Sequence, residues 1–205
     1  MRKFETITTV AAPYPFANVD TDRIIRIERC ARTPAQELGA WAFETERFHG
    51  DGSDNPAFVL NQAPFRGAGI LVAGENFGCG SSREMAVWAL AGLGIRCVIA
   101  PSFGEIFFGN CFQNGVLPIG LPAATVQRLQ GKLAQDPEQA ILTVDLPRQR
   151  ISTPWREEVD FEIEALRKQA LVQGLDAIGA TLTKVAAIDA FQAKQRTRRP
   201  WVYLA

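Results

Sequence analysis

Between two short apolar runs the chain places a loop built from glycine, cysteine and serine, and that order limits the folds open to it more than any other feature. The first run, Gly69–Ala73 (Gly-Ile-Leu-Val-Ala), and the second, Cys97–Ala100, read as buried strands. Separating them are the loop Gly74-Glu-Asn-Phe-Gly-Cys-Gly-Ser-Ser82 and a stretch from Arg83 to about Leu93, in which Met85, Val87, Trp88, Ala89 and Leu90 favour a helix. Gly92 and Gly94 stand where that helix should stop. Strand, glycine-rich turn, helix and strand in this order imply a parallel crossover, which as a rule is right-handed.

Further along, Ala123–Gln135 reads as an amphipathic helix, Ile141–Leu146 alternates like a strand, and Ile151–Thr153 with Val159–Ile163 reads as a hairpin around Pro154-Trp155. Glu164–Gln173 is helical with Gly174 as its cap, and Ala186–Gln195 is a last helix. The sum is a mixed α/β domain. Thr45–Pro64, rich in Gly, Asp, Asn and Pro, is the one long loop-like segment. No repeat and no shift in composition marks a boundary, so the 205 residues are read as a single domain.

Charge and cysteine content narrow the function. With 22 basic and 22 acidic residues the formal net charge is zero, which removes the electrostatic basis for non-specific nucleic-acid binding, although Lys194–Arg199 is locally basic. No apolar run approaches the ~18–20 residues of a membrane helix, and Met1–Thr9 carries acid and hydroxyl residues where a signal peptide would be apolar. A cytoplasmic protein with no membrane and no nucleic-acid partner is therefore expected. The four cysteines, Cys30, Cys79, Cys97 and Cys111, lie far apart, and His49 is the only histidine. Free thiols are expected, and because zinc sites and iron–sulfur clusters need several convergent ligands, any metal that takes part is expected on another chain.

The densest polar cluster is Gly78-Cys-Gly-Ser-Ser-Arg-Glu84. Unpaired N–H groups at a helix start, glycines that permit close approach and an adjacent arginine make a carboxylate site, with Ser81 or Ser82 aimed into it. An ordinary serine cap with Glu84 as part of a capping arrangement accounts for the same spacing. Two phosphate-binding readings fail: no lysine follows the glycines as a P-loop requires, and Arg83 stands where a dinucleotide fingerprint read from Gly78 needs glycine. Serine-hydrolase chemistry lacks its base, since His49 falls in the Gly/Asp-rich loop and reads as a solvated residue. Cys79 near the helix start is either a nucleophile or a bystander, and no histidine accompanies it. A second cluster, Asn18-Val-Asp-Thr-Asp-Arg-Ile24, either orients a catalytic group, with Arg23 or Arg26 binding an acid, or simply starts a turn or helix. Phe103, Phe107, Phe108 and Phe112 have the spacing of core packing on a helix.

Taken together, Asn18-Val-Asp-Thr-Asp-Arg-Ile-Ile25, Glu75-Asn-Phe-Gly-Cys-Gly-Ser-Ser-Arg-Glu84 and Val98-Ile-Ala-Pro-Ser-Phe-Gly-Glu-Ile-Phe-Phe-Gly-Asn-Cys-Phe112 resemble the small subunits of 3-isopropylmalate dehydratase, the stand-alone form of the aconitase swivel domain. The tail Gly174-Leu-Asp-Ala-Ile-Gly-Ala-Thr-Leu182 is similar to the family's closing segment. The resemblance implies a swivelling β/β/α domain of the α/β class, with a mixed sheet, flanking helices and a helical extension over about 164–205. It implies that the chain binds no cofactor itself and closes, as a heterodimer or heterotetramer, over a large subunit that holds a [4Fe–4S] cluster. The family's reaction is a hydro-lyase isomerisation of 2-isopropylmalate to 3-isopropylmalate in leucine biosynthesis, and it needs both subunits. By the family pattern Ser81 is the base, Ser82 and Gly80 bind the dicarboxylic substrate, Arg83 pairs with a substrate carboxylate, and Asp22 pairs with a histidine of the large subunit. Arg32, Gln36 and Glu37 fall in the region that meets the substrate's variable side chain.

Two departures bear on the substrate. Met85 stands where the family usually has histidine after Ser-Ser-Arg-Glu, and Pro34-Ala-Gln-Glu-Leu-Gly39 replaces a segment resembling Arg-Thr-Gly-Leu-Gly. A paralogous hydro-lyase for another small branched diacid, of the citraconate or dimethylmaleate kind, is the alternative within the class. A carboxylate-binding module without turnover is the alternative outside it.

Overall fold

Both apolar runs around the glycine loop are strands with every residue buried: β2 (Ile70–Ala73) and β3 (Cys97–Ala100). They lie in the computed structural model, which describes residues 1–203, within a seven-stranded mixed sheet. Strand β1 (Thr6–Tyr14) organises it. Its first half, Thr6–Val10, pairs antiparallel with β5 (Ile141–Asp145), and its second half, Ala11–Tyr14, pairs parallel with β2. One strand thus joins two sheets of different character. On one side β1, β2, β3 and β4 (Leu117–Gly120) run parallel; on the other, β5, β6 (Arg150–Ser152) and β7 (Glu158–Asp160) run antiparallel, giving the order β4-β3-β2-β1-β5-β6-β7.

The burial patterns follow from this division. Strands of a parallel sheet covered on both faces are apolar throughout, whereas β5 alternates between buried Leu142 and Val144 and more exposed neighbours, as an antiparallel strand with one wet face does. The sequence reading assigns no strand at β1 or β4. The antiparallel half of β1 carries Thr6, Thr8 and Thr9, which hide its pattern, and Pro118 in β4 is tolerated because β4 is the sheet edge.

The segment between β1 and β2 forms α1 (Thr21–Ile24), α2 (Ile27–Arg32), a 3-10 helix (Ala35–Trp41) and α3 (Glu44–Arg47). The loop expected over Thr45–Pro64 is corrected here. It contains part of α3, a bridge between Phe48 and Asp54, and the 3-10 turn Val59–Asn61, with another at Ala63–Phe65. Its turn residues supply the hydrogen bonds a ladder would otherwise make: Asn55 Nδ2 donates to the Glu46 carbonyl at 2.8 Å, and Asn61 Nδ2 to the Arg47 carbonyl at 2.6 Å.

Helix α4 (Glu84–Leu93) ends at Gly94, whose φ of 105° closes the helix in the left-handed region. Gly92 lies inside the helix, not at its end, and meets Gly39 of the 3-10 helix; a Cβ on Gly39 would overlap the Gly92 backbone. Helix α5 (Glu105–Gln113) follows β3, and α6 (Ala123–Gln135) packs over β1, β2 and β3 through Val126, Leu129 and Leu133. Helix α7 (Ala165–Gln173) is pinned to the amino end, where Phe4 N–H donates to the Leu171 carbonyl at 3.0 Å, and Gly174 caps it at φ 71°. Beyond it come α8 (Ala177–Leu182), α9 (Val185–Arg198) and a 3-10 turn (Pro200–Tyr203), none of which has a buried residue. The last helix is therefore longer than Ala186–Gln195 and preceded by another. Leu204 and Ala205, the last two residues of the expected extension, lie outside the described residues.

Candidate active site

The three segments quoted above converge beyond the carboxyl ends of β1, β2 and β3, where ligands of open parallel sheets bind. Their backbones are laced together. Gly78 N–H donates to the Val19 carbonyl at 2.7 Å and Thr21 N–H to the Cys79 carbonyl at 3.0 Å. From the third segment, Ser102 accepts Phe77 N–H at 3.1 Å through its carbonyl and Asn76 N–H at 2.8 Å through its hydroxyl, while Gly104 N–H donates to the Phe77 carbonyl at 2.9 Å. Phe77 is buried, edge-on to Phe107 with ring centroids 5.5 Å apart. Gly78 has φ 73°, and a Cβ there would overlap the Phe107 ring, so glycine is required both for the turn and for the packing. The Phe103, Phe108 and Phe112 side chains continue this packed layer, as their spacing implies.

Out of this floor the chain rises through Gly80, Ser81 and Ser82, all exposed, to Arg83, the N-cap of α4. Neither serine caps the helix. No side chain does, and Glu84 instead accepts a hydrogen bond from Asn114 Nδ2 at 2.8 Å, so the capping reading of Ser81, Ser82 and Glu84 is corrected. The serines precede the N-cap, and within the first turn Ala86 N–H donates to the Arg83 carbonyl at 3.2 Å.

One ion pair joins two residues that the sequence reading assigns to different partners. Arg83 makes a two-pronged ion pair with Asp22, Nη1 to Oδ1 and Nη2 to Oδ2, the second at 2.8 Å. The Arg83 side chain is 13% exposed and that of Asp22 53%, so the arginine is built in and the carboxylate faces outward. Hydrogen bonding from Arg83 holds the Asp22 carboxyl below its ordinary range, against a smaller opposing effect of burial, and the same bond raises Arg83. Burial pushes the nearby Cys30 thiol up, partly offset by Arg83. Asp20 caps α1, its Oδ1 accepting Arg23 N–H at 2.7 Å, as the turn-starting reading of the second cluster requires.

Arg23 is not free to bind an acid. It pairs with Glu46 and lies over Phe16, 4.5 Å from the ring centroid, while the buried Tyr14 hydroxyl donates to both Glu46 oxygens at 2.9 Å. Burial, followed by the Glu46 charge, raises the Tyr14 phenol far above its usual range. This network holds α1 from beneath, and no sequence signal links Tyr14 with Glu46. Arg26 is engaged by Glu28 at 3.3 Å.

Arg32, Gln36 and Glu37 are exposed on α2 and the 3-10 helix that packs along α4, and among the described residues no hydrogen bond or ion pair ties them to Ser81–Arg83. A cleft of about 770 Å³ is lined by Arg26, Arg29, Trp41, Glu44 and the exposed His49, and none of Arg32, Gln36, Glu37, Ser81 and Arg83 lines it. Its Arg29 is already paired with Glu44 and stacked 3.4 Å over Trp41. Among the described residues no three His, Cys, Asp or Glu converge as metal ligands. Burial raises both the Cys97 and Cys111 thiols, and among the described residues the four free cysteines do not converge into the ligand set an iron–sulfur cluster needs.

A mixed sheet with a laced glycine–serine loop at its parallel ends is the architecture of the aconitase swivel domain, and residues 1–124 match the family model of the aconitase C-terminal domain. Residues 178–205 match that of the C-terminal domain of the 3-isopropylmalate dehydratase small subunit. The chain belongs to the family of 3-isopropylmalate dehydratase small subunits. It is 51% identical over 201 residues to the one from Rhodospirillum centenum, covering 98% of each chain, and 50% identical over 202 residues to that of Dinoroseobacter shibae, covering 98% of this chain and all of the relative. A crystal structure of 3-isopropylmalate dehydratase from Methanocaldococcus jannaschii superposes with a TM-score of 0.64 at 28% identity, covering 91% of this chain and 99% of that one.

Proposed function

We propose that this chain is the small half of a two-subunit hydro-lyase that interconverts 2-isopropylmalate and 3-isopropylmalate, with Ser81 removing the carbon-bound proton. One observation carries the reading: two exposed serines stand beside a built-in arginine that already grips a carboxylate with both nitrogens. Such a surface is chemically suited to a dicarboxylic acid and is open on the side away from the sheet.

In this reading Arg83 binds a substrate carboxylate through the same fork that Asp22 now fills, and Asp22, more than half exposed, is released to a histidine of the large subunit. Ser82 and Gly80 line the same edge. A serine hydroxyl is a weak base in water. Its alkoxide is stabilised by the Arg83 charge and the positive end of α4, and more strongly once the large subunit lies over the site and excludes water. Arg32, Gln36 and Glu37 meet the substrate's branched side chain from the neighbouring surface. A [4Fe–4S] cluster held by the large subunit would supply the Lewis acid for the substrate hydroxyl. Residues 1–205 act as one unit with a helical extension from about residue 164. The four free cysteines suit the reducing cytoplasm.

Anaerobic reconstitution with the large subunit, followed by rates on 2-isopropylmalate, citramalate and dimethylmalate, tests this. The highest kcat/KM is expected for 2-isopropylmalate. A preference for either smaller acid would overturn the substrate assignment and keep the class; binding of the acids without turnover would leave a carboxylate-binding module.

A further inference from the structure

Besides Tyr14 and the thiols, three polar side chains are buried among the described residues: Thr21, Gln130 and Thr153. Gln130 donates to the Val72 carbonyl at 3.1 Å, and Thr153 closes its own turn with Glu157. Thr21, 1% exposed, is different. Its hydroxyl donates at 3.0 Å to the carbonyl of Ser81, sixty residues away, while its N–H holds the Cys79 carbonyl at the same distance.

We infer that Thr21 is a positioning residue for Ser81. Val19, Asp20 and Thr21 run beside Gly78–Ser81 as a short strand-like pair: Gly78 N–H to Val19, a parallel bridge between Asp20 and Cys79, then Thr21 N–H to Cys79. The backbone pairing ends there, one residue short of Gly80, which sits at φ 83°. Glycine is the residue least able to fix the direction of the chain that follows it. Beyond it, Ser81 is held through its carbonyl by the Thr21 side chain. That hydroxyl does what the ladder no longer does, and fixing the Ser81 peptide leaves its Oγ only the side-chain rotation to explore.

The donor itself is rigid. Four consecutive residues of one turn each make a separate contact: Asp20 caps α1, Thr21 pins Ser81, Asp22 pairs with Arg83, and Arg23 is held by Glu46 above the Tyr14 hydroxyl. Because Asp20 and Arg23 tie the turn down on either side, the Thr21 anchor on Ser81 does not depend on the Asp22–Arg83 pair that substrate displaces. A misplacement of about 1 Å at a reacting group costs on the order of 100-fold in rate, so the peptide anchor affects turnover more than substrate binding.

The inference rests on the proposed role of Ser81, and the experiment separates the two. In the reconstituted complex, Thr21→Val keeps the shape and removes the hydroxyl, Thr21→Ser keeps the hydroxyl, Thr21→Ala is a smaller second removal, and Ser81→Ala is the reference. Thr21→Val and Thr21→Ala are expected to lower kcat by tenfold or more with KM within about twofold, while the subunits still associate. Thr21→Ser is expected to restore kcat to within about threefold. Wild-type kcat in Thr21→Val beside an inactive Ser81→Ala would overturn the inference alone. An equal loss in Thr21→Ser, or loss of subunit association in both Thr21→Val and Thr21→Ala, would also overturn it by showing that packing and not the hydroxyl matters. Wild-type turnover in Ser81→Ala would remove the reading on which it rests.

Discussion

The loop from Gly74 to Arg83 and the tail from Ala177 to Tyr203 are opposites. The loop has almost no regular secondary structure, yet the segments after β1 and β3 hold its backbone by hydrogen bonds, and Phe77 anchors it in the core. The tail is almost wholly helical, yet Ile178, Leu182, Phe191 and Trp201 are 71%, 62%, 62% and 67% exposed. Helical hydrogen bonds are local and give an isolated helix of this length only marginal stability in water. Order that a reaction can rely on comes instead from burial and from bonds between distant segments, and in this chain it is concentrated where the serines emerge.

The contrast can be broken most forcefully at Gly78. Gly78→Ala demands a side chain at positive φ against the buried Phe107 ring, and a loss of about 3 kcal/mol in unfolding free energy is expected from urea titration. A loss below about 0.5 kcal/mol would show that the loop floor yields, and that its lacing does not fix the site.

A smaller effect is expected at the Asp22–Arg83 pair, and it depends on pH. Because Arg83 lowers the folded-state pKa of Asp22, the pair's stabilisation is present above the ordinary carboxylate range and is lost as pH falls through the folded value. With Asp22 more than half exposed, Asp22→Asn should cost at most about 1 kcal/mol at neutral pH, and the gap between variant and wild type should shrink in acid. A gap that widened on acidification would contradict the pairing.

The smallest effect belongs to the tail. Phe191→Ala should change unfolding free energy of the isolated chain by less than about 0.5 kcal/mol, since the ring is not packed. A change as large as that of Gly78→Ala would sharpen the comparison in the other direction, by placing the tail in the same cooperative unit as the sheet.

What could be read from the sequence divides along the same line. Helix Ala123–Gln135 is found at its expected bounds because its pattern is local, and β2 and β3 are evident because strands buried on both faces must be apolar throughout. Gly94 and Gly174 end their helices as expected, for the same local reason. β1 escapes because one strand serves two sheets and carries two patterns in nine residues. The candidate site's residue types stand out in the sequence, and its pairings do not. Nothing in the spacing of Asp22 and Arg83 says that they meet, or that Tyr14, Glu46 and Arg23 brace the turn between them, because such contacts are fixed only when the sheet brings its strand ends together. The serine cap is a sound local expectation that the structure overrides: Ser81 is exposed and pinned through its carbonyl to Thr21, and no side chain caps the helix it precedes.

The most direct test of the account is the turnover of Ser81→Ala in the reconstituted two-subunit enzyme, measured with subunit association followed in parallel. Association at the wild-type level with kcat reduced by about 100-fold or more is the predicted result. Association with near-normal kcat would contradict the assignment of Ser81 as the group that takes the proton.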